Sequence, residues 1–203
     1  MARALTIIVI LALAAAGYLI FMNYDGSYQV LPKVEHEEKV EDEVQTEDPF
    51  GEWRPFSSED GVFTVMLPSL PQRANDTIAD PSTGEQRKYD MYVAKKSNGS
   101  IFMISMITYP GSGGLEDHKI LESVKDEMVA AHPGNKLLSS QTGTYLGHDS
   151  IDFSIENPDA HIDGKAFLVD RTLYLLTHVA SKDTYNEQEF GHFADSFKIN
   201  TQK

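Results

Sequence analysis

Lys88-Tyr89-Asp90-Met91-Tyr92-Val93-Ala94-Lys95-Lys96, then Ser97-Asn98-Gly99-Ser100, then Ile101-Phe102-Met103-Ile104-Ser105-Met106-Ile107-Thr108-Tyr109, is the stretch that decides the fold. In the first segment Tyr89, Met91 and Val93 alternate with more polar neighbours, the period of a half-buried strand. Asn98-Gly99 is the pair that best tolerates the positive φ angles of a tight hairpin turn. The second segment is apolar on both faces, as an interior strand covered on each side would be. An antiparallel pair with its second strand deep in a sheet is therefore expected between residues 88 and 109.

Working outward, Gly61–Leu67 ends at Pro68 and reads as a first strand with Phe63, Val65 and Leu67 on one face. After Tyr109 the run Pro110-Gly111-Ser112-Gly113-Gly114 breaks the chain. Leu115–His132 follows with Ile120, Leu121, Val124, Met128 and Ala131 at helical spacing, and Pro133-Gly134 stops it. Glu116, Glu122, Lys125 and the adjacent pair Asp126-Glu127 are expected as surface charge. Three more strands are expected as a meander: Leu137–Tyr145, Ser150–Glu156 after a turn at Gly147-His148-Asp149, and His161–Val169 after Asn157-Pro158-Asp159. Thr172–Ala180 returns from a turn at Asp170-Arg171. Asp183 or Thr184 is expected to cap a last helix with Tyr185, Phe193 and Phe197 along one side. The fold class expected is α+β, an antiparallel β-sheet sandwiched by helices.

Composition adds a second region of interest. Ala4–Met22 (ALTIIVILALAAAGYLIFM) is nineteen residues without a charge, and a helix of that length just spans a bilayer core. A cleaved signal peptide is the competing reading, with Arg3 as its positive start and Ala14-Ala15-Ala16 as its cleavage site. The apolar run continues through Tyr18–Met22, which favours an uncleaved signal anchor over 1–22. Basic charge at Arg3 beside a very short tail places the N-terminus in the cytoplasm and the rest outside it, as a single-pass membrane protein. Residues 23–49 form an acidic linker, with eight acids against one base from Glu35 to Asp48. Such a segment cannot offset its ordering entropy by burial and is expected to be a disordered spacer. Residues 50–203 are expected to form one α+β domain, long enough for its own core.

Charge and motif content exclude several function classes. Residues 50–203 carry 22 acids against 14 Lys plus Arg and the whole chain has a net charge of −14, so a nucleic-acid partner is excluded for want of clustered cations. There is no Cys, no Gly-x-Ser-x-Gly elbow and no Lys-Ser/Thr pair after the Gly-rich loop at Ser112. The seven His residues show no ligand spacing. His148-Asp149 and His161-x-Asp163, near turns of neighbouring hairpins, are the one weak metal candidate, and His132 is expected in the last turn of its helix. The sequence thus assigns no catalytic, cofactor-binding or metal-ligating residue, and the chain is read as not an enzyme.

Trp53 and Phe56, followed by Asp60-Gly61-Val62-Phe63-Thr64-Val65 and Leu67-Pro68, resemble the start of Mog1/PsbP-like domains. The mid-chain helix, the Gly-rich hairpins, Arg171-Thr172-Leu173-Tyr174 and the closing Phe193–Phe197 helix extend the resemblance over about Trp53 to Ile199. It implies a helix–sheet–helix sandwich of a kind used as a non-enzymatic accessory or binding module. No functional residue is carried over by it. The function expected is a membrane-anchored, extracytoplasmic interaction module that docks on an envelope or membrane complex through an unknown protein partner. The alternative is a small-ligand-binding module with a pocket between the sheet and the helix at 115–132.

Overall fold

In the computed structural model the described residues are 49–79, 84–110 and 116–200. The anchor expected at 1–22, nearly all of the acidic linker and the loop at 111–115 lie outside them. No helix among the described residues is long and apolar enough to cross a membrane.

The hairpin at Asn98-Gly99 organises a seven-stranded, wholly antiparallel sheet. Its strands are β3 (Gln72–Ala79), β4 (Gln86–Lys95), β5 (Ile101–Thr108), β6 (Lys136–Tyr145), β7 (His148–Glu156), β8 (Ala160–Val169) and β9 (Thr172–Ser181). They lie in the order β3-β4-β5-β9-β8-β7-β6. Gly99 takes φ +92°, the backbone state for which the turn selects glycine. β5 is buried on both faces, as its composition requires. β7 alternates as read, with Ile151, Phe153 and Ile155 buried between half-exposed Asp152, Ser154 and Glu156.

Two layers cover this sheet. On one face, helix α1 (Asp117–Ala130) buries Leu121, Val124 and Met128 against Met91, Met103, Ile151 and Phe153. On the other face lie helix α2 (Glu187–Ser196) and a small sheet of β1 (Arg54–Ser57), β2 (Phe63–Leu67) and β10 (Lys198–Ile199), in the order β1-β2-β10. That layer buries Trp53, Phe63, Leu67, Phe193 and Phe197 against Tyr92, Phe102, Phe167 and Tyr174. Each large side chain so buried contributes about 1.5–3 kcal/mol. The mostly antiparallel sheet with two helices is therefore as expected, but the second covering layer is a helix beside a small sheet.

Several local expectations are corrected. The strand at 63–67 is the second, not the first. β1 precedes it and escapes notice because it is four residues long and contains Pro55. β3 is a sheet edge whose sequence, QRANDTIA, carries almost no apolar signal. The last helix is capped by Asn186, whose side chain accepts from the Gln188 N–H at 3.0 Å, so Tyr185 lies before the helix and not along it. The β6–β7 turn contains only Leu146 and Gly147, with φ +52° and +85°, and His148 already pairs with Tyr145. Positive φ at both central residues makes this a type I′ turn, for which Asn-Gly is favoured and leucine is not.

Two substitutions test this account. Gly164 on β8 lies under the Phe153 ring, where an added Cβ would stand 2.3 Å from the ring carbon Cζ. Gly164→Ala is expected to destabilise the fold by about 2 kcal/mol in urea unfolding, an overpacking cost, and Phe153→Leu should cost less in that background than in the native one. Leu146→Asn should raise stability by about 1 kcal/mol, because a branched side chain leaves the left-handed region.

Candidate functional site

Besides Asp90, which Arg73 and Lys88 hold, buried ionisable side chains lie in two places, one on each face of the large sheet. The first is a row of cross-strand partners, Ser154 on β7, Asp163 on β8, His178 on β9 and Phe102 on β5, each directly opposite the next. Asp163 and His161 are two apart on β8 and share a face, which is turned toward α2. His178 is fully buried and stacks on Phe102 with ring centroids 4.6 Å apart. Its Nδ1 stands 3.8 Å from Asp163 Oδ2 and its Nε2 stands 3.5 Å from Glu189 Oε2, so the imidazole lies between two carboxylates. Glu189, in the first turn of α2, accepts from Lys96 Nζ at 2.6 Å. Asp163 Oδ1 accepts from Ser154 Oγ at 3.0 Å and stands 3.1 Å from His161 Nε2. Tyr185 covers the His161 ring, with centroids 3.7 Å apart.

Burial alone would raise the Asp163 carboxyl. Its contact with His178, the charge of His161 and bonds from Ser154 and Tyr185 outweigh burial and hold it below the usual carboxylate range. Tyr185 is pushed up by burial first and by Asp163 second. Ser154, His161 and Asp163 have the residue types of a nucleophilic relay, but the geometry is a different one. A relay base meets the hydroxyl with one ring nitrogen and the carboxylate with the other. His161 turns the same Nε2 to both, at 2.8 Å and 3.1 Å, and Ser154 donates directly to Asp163. The arrangement is a polar clamp whose direct bond between α2 and the β4–β5 hairpin is Lys96–Glu189, and His178 lies between the two carboxylates with both ring nitrogens, Asp163 Oδ2 and Glu189 Oε2 lacking a hydrogen-bond partner.

The second place is α1. Glu127, expected as surface charge, is only 5% exposed. It lies one residue before Met128 on the buried stripe, within the field of Arg87 on β4. Ser123 Oγ donates to Glu127 Oε1 at 3.1 Å, and Oε2 is buried without a hydrogen-bond partner. Burial pushes this carboxyl up to about 7, with Ser123 and Arg87 opposing the shift and Asp126 adding to it. A groove of about 500 Å³ runs along the same flank, lined by His118, Glu122, Ser123, Asp126 and Glu127 among others. The space between helix and sheet, where a ligand pocket was expected, is filled by Leu121, Val124 and Met128.

The sequence-based metal candidates do not meet. His148 and Asp149 sit at one end of β7, while His161 pairs with Glu156 at the other end, roughly 27 Å away at strand rise. Among the described residues no group of three or more His, Asp or Glu could hold a metal ion. His132 lies beyond the C-cap of α1, exposed, with Nδ1 accepting from the Gly134 N–H at 3.0 Å. The residues that sequence reading missed are His178, Glu189, Lys96 and Glu127. A histidine inside the apolar run Thr172–Ala180 was the one signal for the first, and nothing local marks its partners.

Glu127 gives the site a pH dependence with a definite sign. A carboxyl raised in the folded state favours its protonated form, so its stabilisation is complete below about pH 4.5 and is lost as the pH rises toward 7. Glu127→Gln should therefore be nearly neutral at pH 4 and should stabilise the protein at pH 8 by roughly 1–3 kcal/mol, read from urea melts at the two pH values.

Comparisons with known proteins give little beyond this geometry. No family model matches the chain, and no curated protein matches it. Among solved structures, the solution structure of cyanobacterial PsbP (CyanoP) from Synechocystis sp. PCC 6803 is similar over 73% of this chain and 93% of that one, at 12% identity and a TM-score of 0.48. A likeness of that quality assigns this chain neither a family nor a function.

Proposed function

We propose that the protein is a non-enzymatic, membrane-anchored accessory module that docks on a membrane or envelope complex. The observation that carries this reading is the charge-free run Ala4–Met22, long enough to span a bilayer as a helix. In this reading residues 1–22 are a single-pass anchor with a cytoplasmic N-terminus, and the folded region stands on the extracytoplasmic side. The acidic stretch 23–49 acts as a spacer with a reach of roughly 30 Å, extended by its own repulsion. Tethering then works as a concentration device, holding the folded region within reach of a partner in the same membrane.

The polar clamp suits a module of this kind. It fixes α2 on the large sheet, so a docking surface there needs less reorganisation on binding.

Membrane fractions of cells expressing the full chain test the proposal. The full chain is expected to remain in the membrane after alkaline carbonate washing, and to be degraded by protease added from the extracytoplasmic side. A chain lacking residues 1–22 should appear in the soluble fraction. Mild-detergent extraction from native membranes should bring down a stoichiometric partner. Release of the full chain by carbonate would overturn the anchor, and recovery of the protein alone would overturn the accessory role.

A further inference from the structure

Strand β6 is the edge of the large sheet and is exposed from Lys136 to Thr144. A covering layer reaches it at Tyr145, whose hydroxyl donates to Ala194 O on α2. Long edges of this kind invite pairing with another chain, and proteins commonly guard them with charge. The opposite edge is guarded so: β3 carries Arg73, bonded to Asp90 and Glu59, and Asp76. β6 carries Lys136 at its start and no other charge, in a chain of net charge −14. Exposed leucines stand near its start and just beyond its end. Leu138 is 54% exposed and is the unmatched residue of a β-bulge, and Leu146 is 44% exposed in the turn. Leu146 also holds φ +52°, a strained position for leucine. Strain retained at an exposed apolar side chain points to a contact the isolated chain does not make.

We infer that β6 pairs antiparallel with β6 of a second copy of this chain, joining two seven-stranded sheets across a two-fold axis at Thr142. The hairpin sets the register. Tyr145 and His148 close a two-residue turn, so they exchange both backbone hydrogen bonds, and peptide groups then alternate in direction along β6. Tyr145, Gly143 and Gln141 face β7, which leaves the N–H and C=O groups of Thr144, Thr142 and Ser140 directed to the free edge. A two-fold axis preserves this alternation only where it passes through a residue pair. Thr142 opposite Thr142 of the partner subunit is the choice that uses all three residues. Ser140 then pairs with Thr144 of the partner subunit, and Leu138 comes beside Leu146 of the partner subunit. Leu138 and Leu146 each gain an apolar neighbour, and the segment Ser139–Thr144 brings no charge to a junction between two acidic molecules.

Edge pairing alone buries less than the roughly 1,200 Å² of a stable interface, so the dimer should dissociate on dilution. The pairing does not depend on membrane anchoring, although a shared membrane would favour it.

The chain has no Cys, so single cysteines report the contact cleanly. Opposed residues of a hydrogen-bonded pair lie about 5.5 Å apart at Cα, within disulfide range. Thr142→Cys in the full chain, in mild detergent under gentle oxidation, should give at least tenfold more disulfide-linked dimer than Asp76→Cys on the β3 edge. Adding Leu138→Lys and Leu146→Lys to the Thr142→Cys chain should lower that yield at least tenfold, with the circular dichroism spectrum unchanged. Equal yields from the two edges would mean random collision and would overturn the proposal. So would an undiminished yield with both lysines present. Absence of dimer from Thr142→Cys, with a monomer by light scattering, would also overturn it and would leave the edge to a different chain.

Discussion

Covering both faces of a seven-stranded sheet creates the constraint on which the rest of this structure depends. Interior strands then have no wet face, and any polar side chain among them must find its partners inside. β5 meets the constraint by composition, with apolar groups at nearly every position. β8 and β9 meet it by chemistry. Asp163 and His178 stand opposite each other, and α2 brings Glu189 from the covering layer to the second ring nitrogen. The packing of α2 is thus what brings a carboxylate to the buried face of β9.

The two faces handle this differently. On the α2 side the buried carboxylates face a histidine, a lysine and a serine, and Asp163 stays below its ordinary range. On the α1 side Glu127 has Ser123 and a nearby Arg87, and burial wins, raising the group to about 7. Each of these carboxylates has one oxygen bonded and one without a partner, and only the one whose burial outweighs its neighbours becomes a store of pH sensitivity. The groove along the α1 flank coincides with that one.

The edges complete the picture. A seven-stranded open sheet has two, and they are treated unequally. β3 is held by ion pairs, whereas β6 is exposed from Lys136 to Thr144, with Leu137 and Leu138 near its start and Leu146 in the turn beyond its end. For a module whose proposed work is docking, an unguarded edge beside a rigid core is a physically economical arrangement. The backbone supplies directional hydrogen bonds, and the core supplies preorganisation.

Strands and turns with strong local signals were legible in the sequence, because alternation and turn chemistry act over a few residues. The Asn98-Gly99 hairpin, the alternation of Ile151, Phe153 and Ile155, and the stripe of Leu121, Val124 and Met128 belong to this group. The charge-free run Ala4–Met22 is a matter of composition alone and lies outside the described residues. β1 and β3 were not legible, since a four-residue strand and a polar edge draw their stability from a neighbour rather than from a pattern of their own. The polar clamp was decided by tertiary structure alone. Lys96, Asp163, His178 and Glu189 come from four separate parts of the chain, and only strand register and helix docking bring them within a few ångströms. Glu127 carries the same lesson in one residue. Its adjacency to Asp126 suggested solvent, but one helical step of 100° placed it against the sheet, and that orientation depends on what the helix packs against.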